Sequence, residues 1–343
     1  MSFTVTIQPS GHTLSTEAGE SILEAALRQG LTLPYGCRDG ACGACRGKVL
    51  NGEVDHGKAQ DHALSQADRE QGLALFCCAS PRSDLVIESR EVRKAGDIPV
   101  KTLPVRVQSL ERAAPDVMIV KLKLPASERL QFLAGQYVDI LLKDGRRRSF
   151  SFANAPHDDA LLELHIRHVP GGLFTEQVFT QMKEKDILRI NGPHGTFFLR
   201  EDSPKPIVMI AGGTGFAPIK SVVEHAIAES CERPITVYWG GRQRIDLYAL
   251  DVPERWASQS NIRFVPVLSE PAAEDSWTGR RGFVHAAAMA DFPDLSAHQV
   301  YACGSPAMIA AAKRDLVDRC KLREDEFFAD SFDFANDKHQ EPA

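Results

Sequence analysis

The sequence predicts a multidomain protein of β and α/β class, and three observations carry that reading. Residues 1 to about 93 hold five of the eight cysteines, Cys37, Cys42, Cys45, Cys77 and Cys78. Residues from about 103 to 203 alternate apolar and polar side chains as strands do. Residues from about 204 onward interleave continuous apolar runs with helical spacing, the rhythm of strands and crossover helices around a parallel sheet. A chain of 343 residues accommodates two or three such domains. Its net charge of −6 argues against nucleic acid as a main partner. No apolar run approaches the ~18 residues of a membrane span, and Met1 to Ile7 alternates like a strand rather than opening as a signal peptide. The expectation is a cytoplasmic protein without nucleic-acid or membrane partners, whose thiols stay reduced. Eight cysteines there read as ligands or buried thiols, not disulfides.

Each block has its own signature. In the first, Ser21 to Gly30 has a helix pattern and Leu85 to Glu88 a strand pattern. Lys94-Ala95-Gly96-Asp97-Ile98-Pro99 suits a linker, which we place at 94–102. In the second block, Val117 to Leu124 and Leu161 to Ile166 alternate cleanly. In the third, Ile207-Val208-Met209-Ile210 is apolar throughout, as a strand buried on both faces requires. Ile219, Val222, Val223, Ala226 and Ile227 then fall at helical spacing. Further strands are expected at Thr236–Trp239, Phe264–Leu268 and Gln299–Ala302. Ser305-Pro306 reads as an N-cap with proline at the first helical position, followed by the stripe Ile309, Ala312, Leu316, Val317 and Cys320. The domains are thus placed at 1–93, 103–203 and 204–335, with a polar tail at 336–343.

The strongest chemical signal is Cys37, Cys42 and Cys45 at C-x4-C-x2-C spacing, with Cys77 32 positions after Cys45. That is the plant-type spacing for a [2Fe–2S] cluster. Gly36, Gly40, Gly43 and Gly47 let the loop bend tightly and aim amides at the sulfurs. A structural zinc site would pair two short C-x2-4-C units, and here the second pair would be the adjacent Cys77 and Cys78. Buried structural thiols suit a glycine-rich loop poorly. Adjacent cysteines cannot easily both ligate, so one of Cys77 and Cys78 is a bystander.

The first block resembles a plant-type ferredoxin, a β-grasp domain, over the helix pattern, the cysteine loop and the closing strand. Its L-x-C pattern matches Leu75-Phe76-Cys77, which selects Cys77 as the fourth ligand. The second block resembles the flavin barrel of the ferredoxin–NADP reductase-like flavoproteins, an antiparallel β-barrel. Arg148-Ser149-Phe150-Ser151 is similar to their R-x-Y-S motif. The resemblance implies that Arg148 meets flavin phosphates, that Phe150 packs on the isoalloxazine, and that Ser151 lies near its N5. Phenylalanine in place of tyrosine keeps the stacking and loses the phenolic hydrogen bond. Arg167 to Thr175 resembles the family's pyrophosphate turn into a helix, which implies cofactor contacts by Arg167, Gly171, Gly172 and Thr175.

In the third block, Gly212-Gly213-Thr214-Gly215, between a strand and a helix, departs from G-x-G-x-x-G and matches the G-G-T-G-x-x-P of the same family. Cys303-Gly304 resembles the family's cysteine beside the nicotinamide, and Asp330-Ser331-Phe332 its acid-x-aromatic ending. The resemblance implies that Phe332 covers the flavin where the nicotinamide enters, and that Ser151, Cys303 and Asp330 cluster around the hydride.

The resemblance spans nearly the whole chain. The order of ferredoxin, flavin barrel and nicotinamide domain is similar to the reductase components of bacterial oxygenases. Phe132 to Tyr137, Gly192 to Phe198 and Val300 to Ser305 resemble the CDP-6-deoxy-Δ3,4-glucoseen reductase family. It implies an NADH-dependent oxidoreductase, with hydride passed to FAD and single electrons leaving through [2Fe–2S] to a partner protein. That partner is a cluster-containing dehydrase or, alternatively, an aromatic-ring dioxygenase or monooxygenase component. A redox sensor without turnover is the competing class, and the intact flavin and nicotinamide motifs speak against it. NADPH is the less expected donor: Arg242 and Arg244 could serve a 2′-phosphate, but Asp246 beside them would repel it.

Overall fold

A computed structural model describes residues 2–89, 93–94, 98–256 and 259–332. The tail 336–343 and residues 95–97 of the expected linker lie outside the described residues. The chain forms two compact units, Met1–Pro99 and Val100–Ala343.

In the first unit, Phe3–Gln8 buries Val5 and Ile7 completely and lies between an antiparallel neighbour, His12–Thr16, and a parallel one, Leu85–Glu88. Arg46–Asn51 and Leu73–Leu75 complete a five-stranded sheet. The helix Ile22–Arg28 opens on a reciprocal capping box between Ser21 and Glu24 and buries Ile22, Leu23, Ala25 and Ala26. This is the expected β-grasp.

The second unit begins with the strand Lys101–Ala114, so residues 101–102 of the stretch 94–102 are already strand. Six antiparallel strands follow one another in space as Arg147–Ser151, Tyr137–Leu141, Ile187–His194, Lys101–Ala114, Val117–Lys123 and Leu162–Arg167. A bridge from Phe152 to Leu164 joins the two outer strands and closes the sheet into a barrel. Alternate residues such as Val105, Val120, Val138, Leu164 and Ile190 fill its interior.

Past the barrel, six parallel strands run in the order Arg280–Arg281, Ile262–Leu268, Ile235–Gly241, Ile207–Gly212, Gln299–Gly304 and Phe327–Ser331. The apolar runs are continuous because both faces are covered. Met209, Trp239 and Tyr301 lie in one core with the helix Phe216–Ala228, while Val208, Ile210 and Val300 lie in the other with the helix Pro306–Cys320. The chain steps outward from Ile207–Gly212 through three strands, then returns to Gln299–Gly304 on the opposite side. Ligands bind at such a reversal, at the carboxyl ends of the strands. No described helix is long and apolar enough to cross a membrane.

Candidate functional site

The cysteine loop is held from outside and inside. Phe76 N–H donates to the Cys45 carbonyl at 3.0 Å, and the helix start is tied to the same segment through Ile22 N–H to Ala79 O and Leu23 N–H to Phe76 O. Within the loop, N–H groups point at sulfur: Asp39 and Cys42 donate to Cys37 Sγ at 3.4 Å, and Cys37 donates to Cys42 Sγ at 3.3 Å. Gly40 has φ +76°, and a Cβ there would meet Cys78 Sγ at 2.8 Å, so the turn that aims its amide at Cys77 requires glycine.

The thiols fall into two pairs, Cys37 with Cys42 and Cys45 with Cys77. Among the described residues no three His, Cys, Asp or Glu side chains gather as around one metal ion. Two pairs of thiols with amides directed at them fit a binuclear cluster better than a single tetrahedral zinc. Hydrogen bonds from the Cys45 and Cys78 thiols, helped by the Gly40 amide and the charge on Lys58, hold the Cys77 thiol well below its ordinary range. The Cys78 thiol, donating to Cys77 and desolvated, is pushed up.

In the second unit the two expected flavin segments meet. Arg148, Phe150 and Ser151 lie on the strand Arg147–Ser151, and Gly172 caps the helix Leu173–Thr180. The Phe150 and Phe174 rings join them, 5.5 Å apart. Thr175 keeps its hydroxyl within the turn, accepting from Val169 N–H at 3.1 Å. Arg148 is half-buried and bonds the Arg147 carbonyl at 2.8 Å. A cationic strand residue, a half-buried ring and a glycine-opened helix N-terminus fit a flavin with its phosphates. Arg167 departs from the expected grouping. It pairs with Asp116 at 3.1 Å and lies against Gly213, and its Nη2 is buried without a hydrogen-bond partner.

Ser151, Cys303, Asp330 and Phe332 come together at the sheet reversal. Asp330 sits opposite Cys303 on the neighbouring strand, and Ser151 Oγ donates to Asp330 Oδ2 at 3.4 Å from the barrel. Burial raises the Asp330 carboxyl to about 6 despite that hydrogen bond. The Cys303 thiol, fully buried and beside Asp330, is pushed up. Phe332, half-buried, donates its N–H to the Gly304 carbonyl at 2.8 Å. The loop Gly212-Gly213-Thr214-Gly215 stands over the same point; a Cβ on Gly215 would collide with the Cys303 carbonyl. Close approach of backbone at the reversal is what a dinucleotide loop needs.

Sequence reasoning missed a polar group flanking this site: Glu163, His165, Lys220 and Tyr248. The signal available was the polar set Glu163, His165, Arg167 at every second position of one strand.

Comparison with known proteins agrees with this architecture. Residues 5–82 match the model of the 2Fe-2S iron-sulfur cluster binding domain, 104–199 that of the oxidoreductase FAD-binding domain, and 209–314 that of the oxidoreductase NAD-binding domain. The chain is 42% identical over 333 residues to CDP-6-deoxy-L-threo-D-glycero-4-hexulose-3-dehydrase reductase of Yersinia pseudotuberculosis, covering 97% of this chain and 99% of that one. It is 38% identical to DmpP, the reductase component of phenol 2-monooxygenase from a Pseudomonas species, covering 98% and 96%. Among solved structures, the Amycolatopsis cytochrome P450 reductase GcoB matches with a TM-score of 0.77 and 36% identity, covering 96% and 98%. The chain therefore belongs to the iron–sulfur flavoprotein reductases of the ferredoxin–NADP reductase superfamily: an oxidoreductase with [2Fe–2S], FAD and NAD domains that serves an electron-accepting partner.

Proposed function

We propose that this cytoplasmic reductase oxidises NADH and supplies single electrons to a cluster-containing sugar dehydrase, like its deoxyhexulose relatives, with an oxygenase component as the second reading. The domains are 1–93 for the cluster, 101–203 for FAD and 204–335 for the nicotinamide, with a linker that ends before Lys101 and a tail at 336–343. One observation carries the reading: Ser151 from the barrel meets Asp330 of the parallel-sheet domain, which lies opposite Cys303 beside the Gly212–Gly215 loop. That is where a hydride donor bound by the parallel-sheet domain would face an acceptor bound by the barrel.

When bound, FAD exchanges the two-electron chemistry of a nicotinamide for the one-electron chemistry of a [2Fe–2S] cluster. The chain's own groups bind and orient. Cys37, Cys42, Cys45 and Cys77 hold the cluster. Arg148, Gly171 and Gly172 take the flavin phosphates, with Thr175 fixing the turn, and Phe150 and Ser151 take the ring. Gly212, Gly213, Thr214 and Gly215 let the nicotinamide nucleotide approach the backbone, with Arg167 beside them. Cys303 and Gly304 would floor its pocket, Phe332 would cover the flavin where the nicotinamide enters, and Asp330 would offer a carboxylate beside the nicotinamide ring. None of these groups need transfer a proton.

Two assays test the cofactor assignments. Heat-released flavin should chromatograph as FAD, since ferredoxin-first order and the Arg148 segment accompany FAD in the resembling reductases; FMN as the sole product would refute it. The specificity constant with ferricyanide or cytochrome c as acceptor should favour NADH over NADPH by about tenfold or more, ~1.4 kcal/mol. Asp246 accepts the N–H groups of Arg242 and Gln243 at 2.8 and 3.0 Å, which fixes a carboxylate at the end of the second strand, where a 2′-phosphate would lie. A ratio near one, or favouring NADPH, would overturn the preference. No nicotinamide oxidation at all would favour the sensor class.

A further inference from the structure

The strand Leu162–Arg167 has two unlike faces. Leu162, Leu164 and Ile166 point into the barrel and are fully buried. Glu163, His165 and Arg167 point the other way, where a barrel strand usually meets water. Here they are covered: the His165 side chain is 0% exposed, Glu163 15% and Arg167 28%. What covers them is the parallel-sheet domain.

Two of the three bond to side chains of that domain, and Arg167, paired with Asp116 of the barrel at 3.1 Å, packs against its glycine loop. Lys220, on the helix that follows the glycine loop, places Nζ 3.3 Å from Glu163 and also donates to the Ala153 carbonyl and to Glu224 at 3.1 and 2.9 Å. His165 lies between Glu163 at 3.0 Å and the Tyr248 hydroxyl at 2.8 Å. A neutral ring satisfies both contacts, with Nε2–H donating to the carboxylate and Nδ1 accepting the tyrosine proton. Arg167 Nη1 lies 2.7 Å from where a Cβ of Gly213 would stand. Tyr248 in turn meets the Trp239 ring edge-on at 5.2 Å, and Trp239 Nε1–H donates to the Gly213 carbonyl at 2.9 Å. The contacts thus converge on Gly213 from two sides, Arg167 and Trp239.

A buried ion pair contributes little net stability over apolar residues of the same shape, so stability alone does not account for this seam. Its geometric demands are strict, because any shift of one domain on the other strands a buried charge or hydroxyl. We infer that Glu163, His165, Arg167, Lys220 and Tyr248 are positioning residues: they fix the orientation of the nicotinamide domain on the flavin barrel and hold the Gly212–Gly215 loop for hydride transfer. This rests on the reductase reading above.

The test uses the FAD- and cluster-loaded protein and two variants, Tyr248→Phe, which removes one hydroxyl, and Lys220→Met. Flavin content should be retained and the KM for NADH should change less than about threefold. The rate of flavin reduction at saturating NADH should fall ~10-fold, since sub-ångström misplacement of reacting groups is costly. Amide hydrogen exchange of Gly213 to Phe216, measured without NADH, should accelerate at least ~5-fold. Lys220→Arg should restore most of the rate. Unchanged exchange and reduction rate in both variants would overturn the inference, as would a lowered melting temperature with the reduction rate of the folded fraction intact. If the unmodified protein is not reduced by NADH, the reductase reading fails instead, and the exchange measurement still reports on the seam.

Discussion

Cys77→Ser should abolish the cluster and Cys78→Ser should leave it in place: iron and acid-labile sulfide should fall to background in the first variant and stay at about two of each per chain in the second. The two side chains are neighbours, with sulfurs 3.6 Å apart, and differ in what addresses them. Cys77 pairs with Cys45 and receives the Gly40 amide and the field of Lys58. The Cys78 thiol serves as a donor to Cys77. A serine hydroxyl at position 77 is a harder and far less acidic ligand than thiolate, so the loss should be near complete. Melting should also drop in the Cys77 variant, because cluster binding stabilises only the folded domain. The reverse pattern, iron lost from the Cys78 variant alone, would show that the neighbour is the ligand.

Asp330→Asn should slow flavin reduction by NADH by about 100-fold, the lower end of the ~10²–10³ for removing one preorganised electrostatic contact, while making the protein more stable above neutral pH. Asp330 is 6% exposed, and burial raises its carboxyl from 3.8 to about 6. A carboxyl raised in the folded state contributes its full stability below about pH 4 and loses it as pH climbs through 6. By pH 8 the charged form costs about 3 kcal/mol, taking 1.36 kcal/mol per unit. Asparagine cannot ionise, so its melting temperature should exceed that of the parent by about 5 °C at pH 8 and converge with it at pH 4. Equal melting temperatures at pH 8 would mean that Asp330 is not desolvated as described. Unaltered reduction kinetics would remove it from the site.

How much was legible depended on whether the information is local. The cluster ligands were readable because three of them lie within nine residues, and one cluster constrains their spacing. The glycine loop was readable because Ile207 to Ile210 before it and the Ile219 to Ile227 stripe after it give the strand-to-helix context. Asp330 and Phe332 were placed by resemblance; nothing in the local pattern shows that Asp330 reaches Ser151, 179 positions earlier. The seam left only an ambiguous local trace, the polar set Glu163, His165 and Arg167 on one strand face. His165 and Tyr248 are 83 positions apart and Lys220 and Ala153 are 67 apart, and a polar set on one strand face ordinarily means water. Arg167 was grouped with the flavin turn because it precedes it in sequence, whereas the fold sets its guanidinium against the nicotinamide loop.

On this reading one chain carries electrons from NADH through FAD to its own [2Fe–2S] cluster. The most direct test is anaerobic addition of NADH to the fully loaded protein, followed by low-temperature electron paramagnetic resonance. Bleaching of the flavin is expected, with a rhombic signal from a reduced [2Fe–2S] cluster that integrates to about one spin per chain. Flavin bleaching with an oxidised, silent cluster, where dithionite does raise the signal, would contradict this reading.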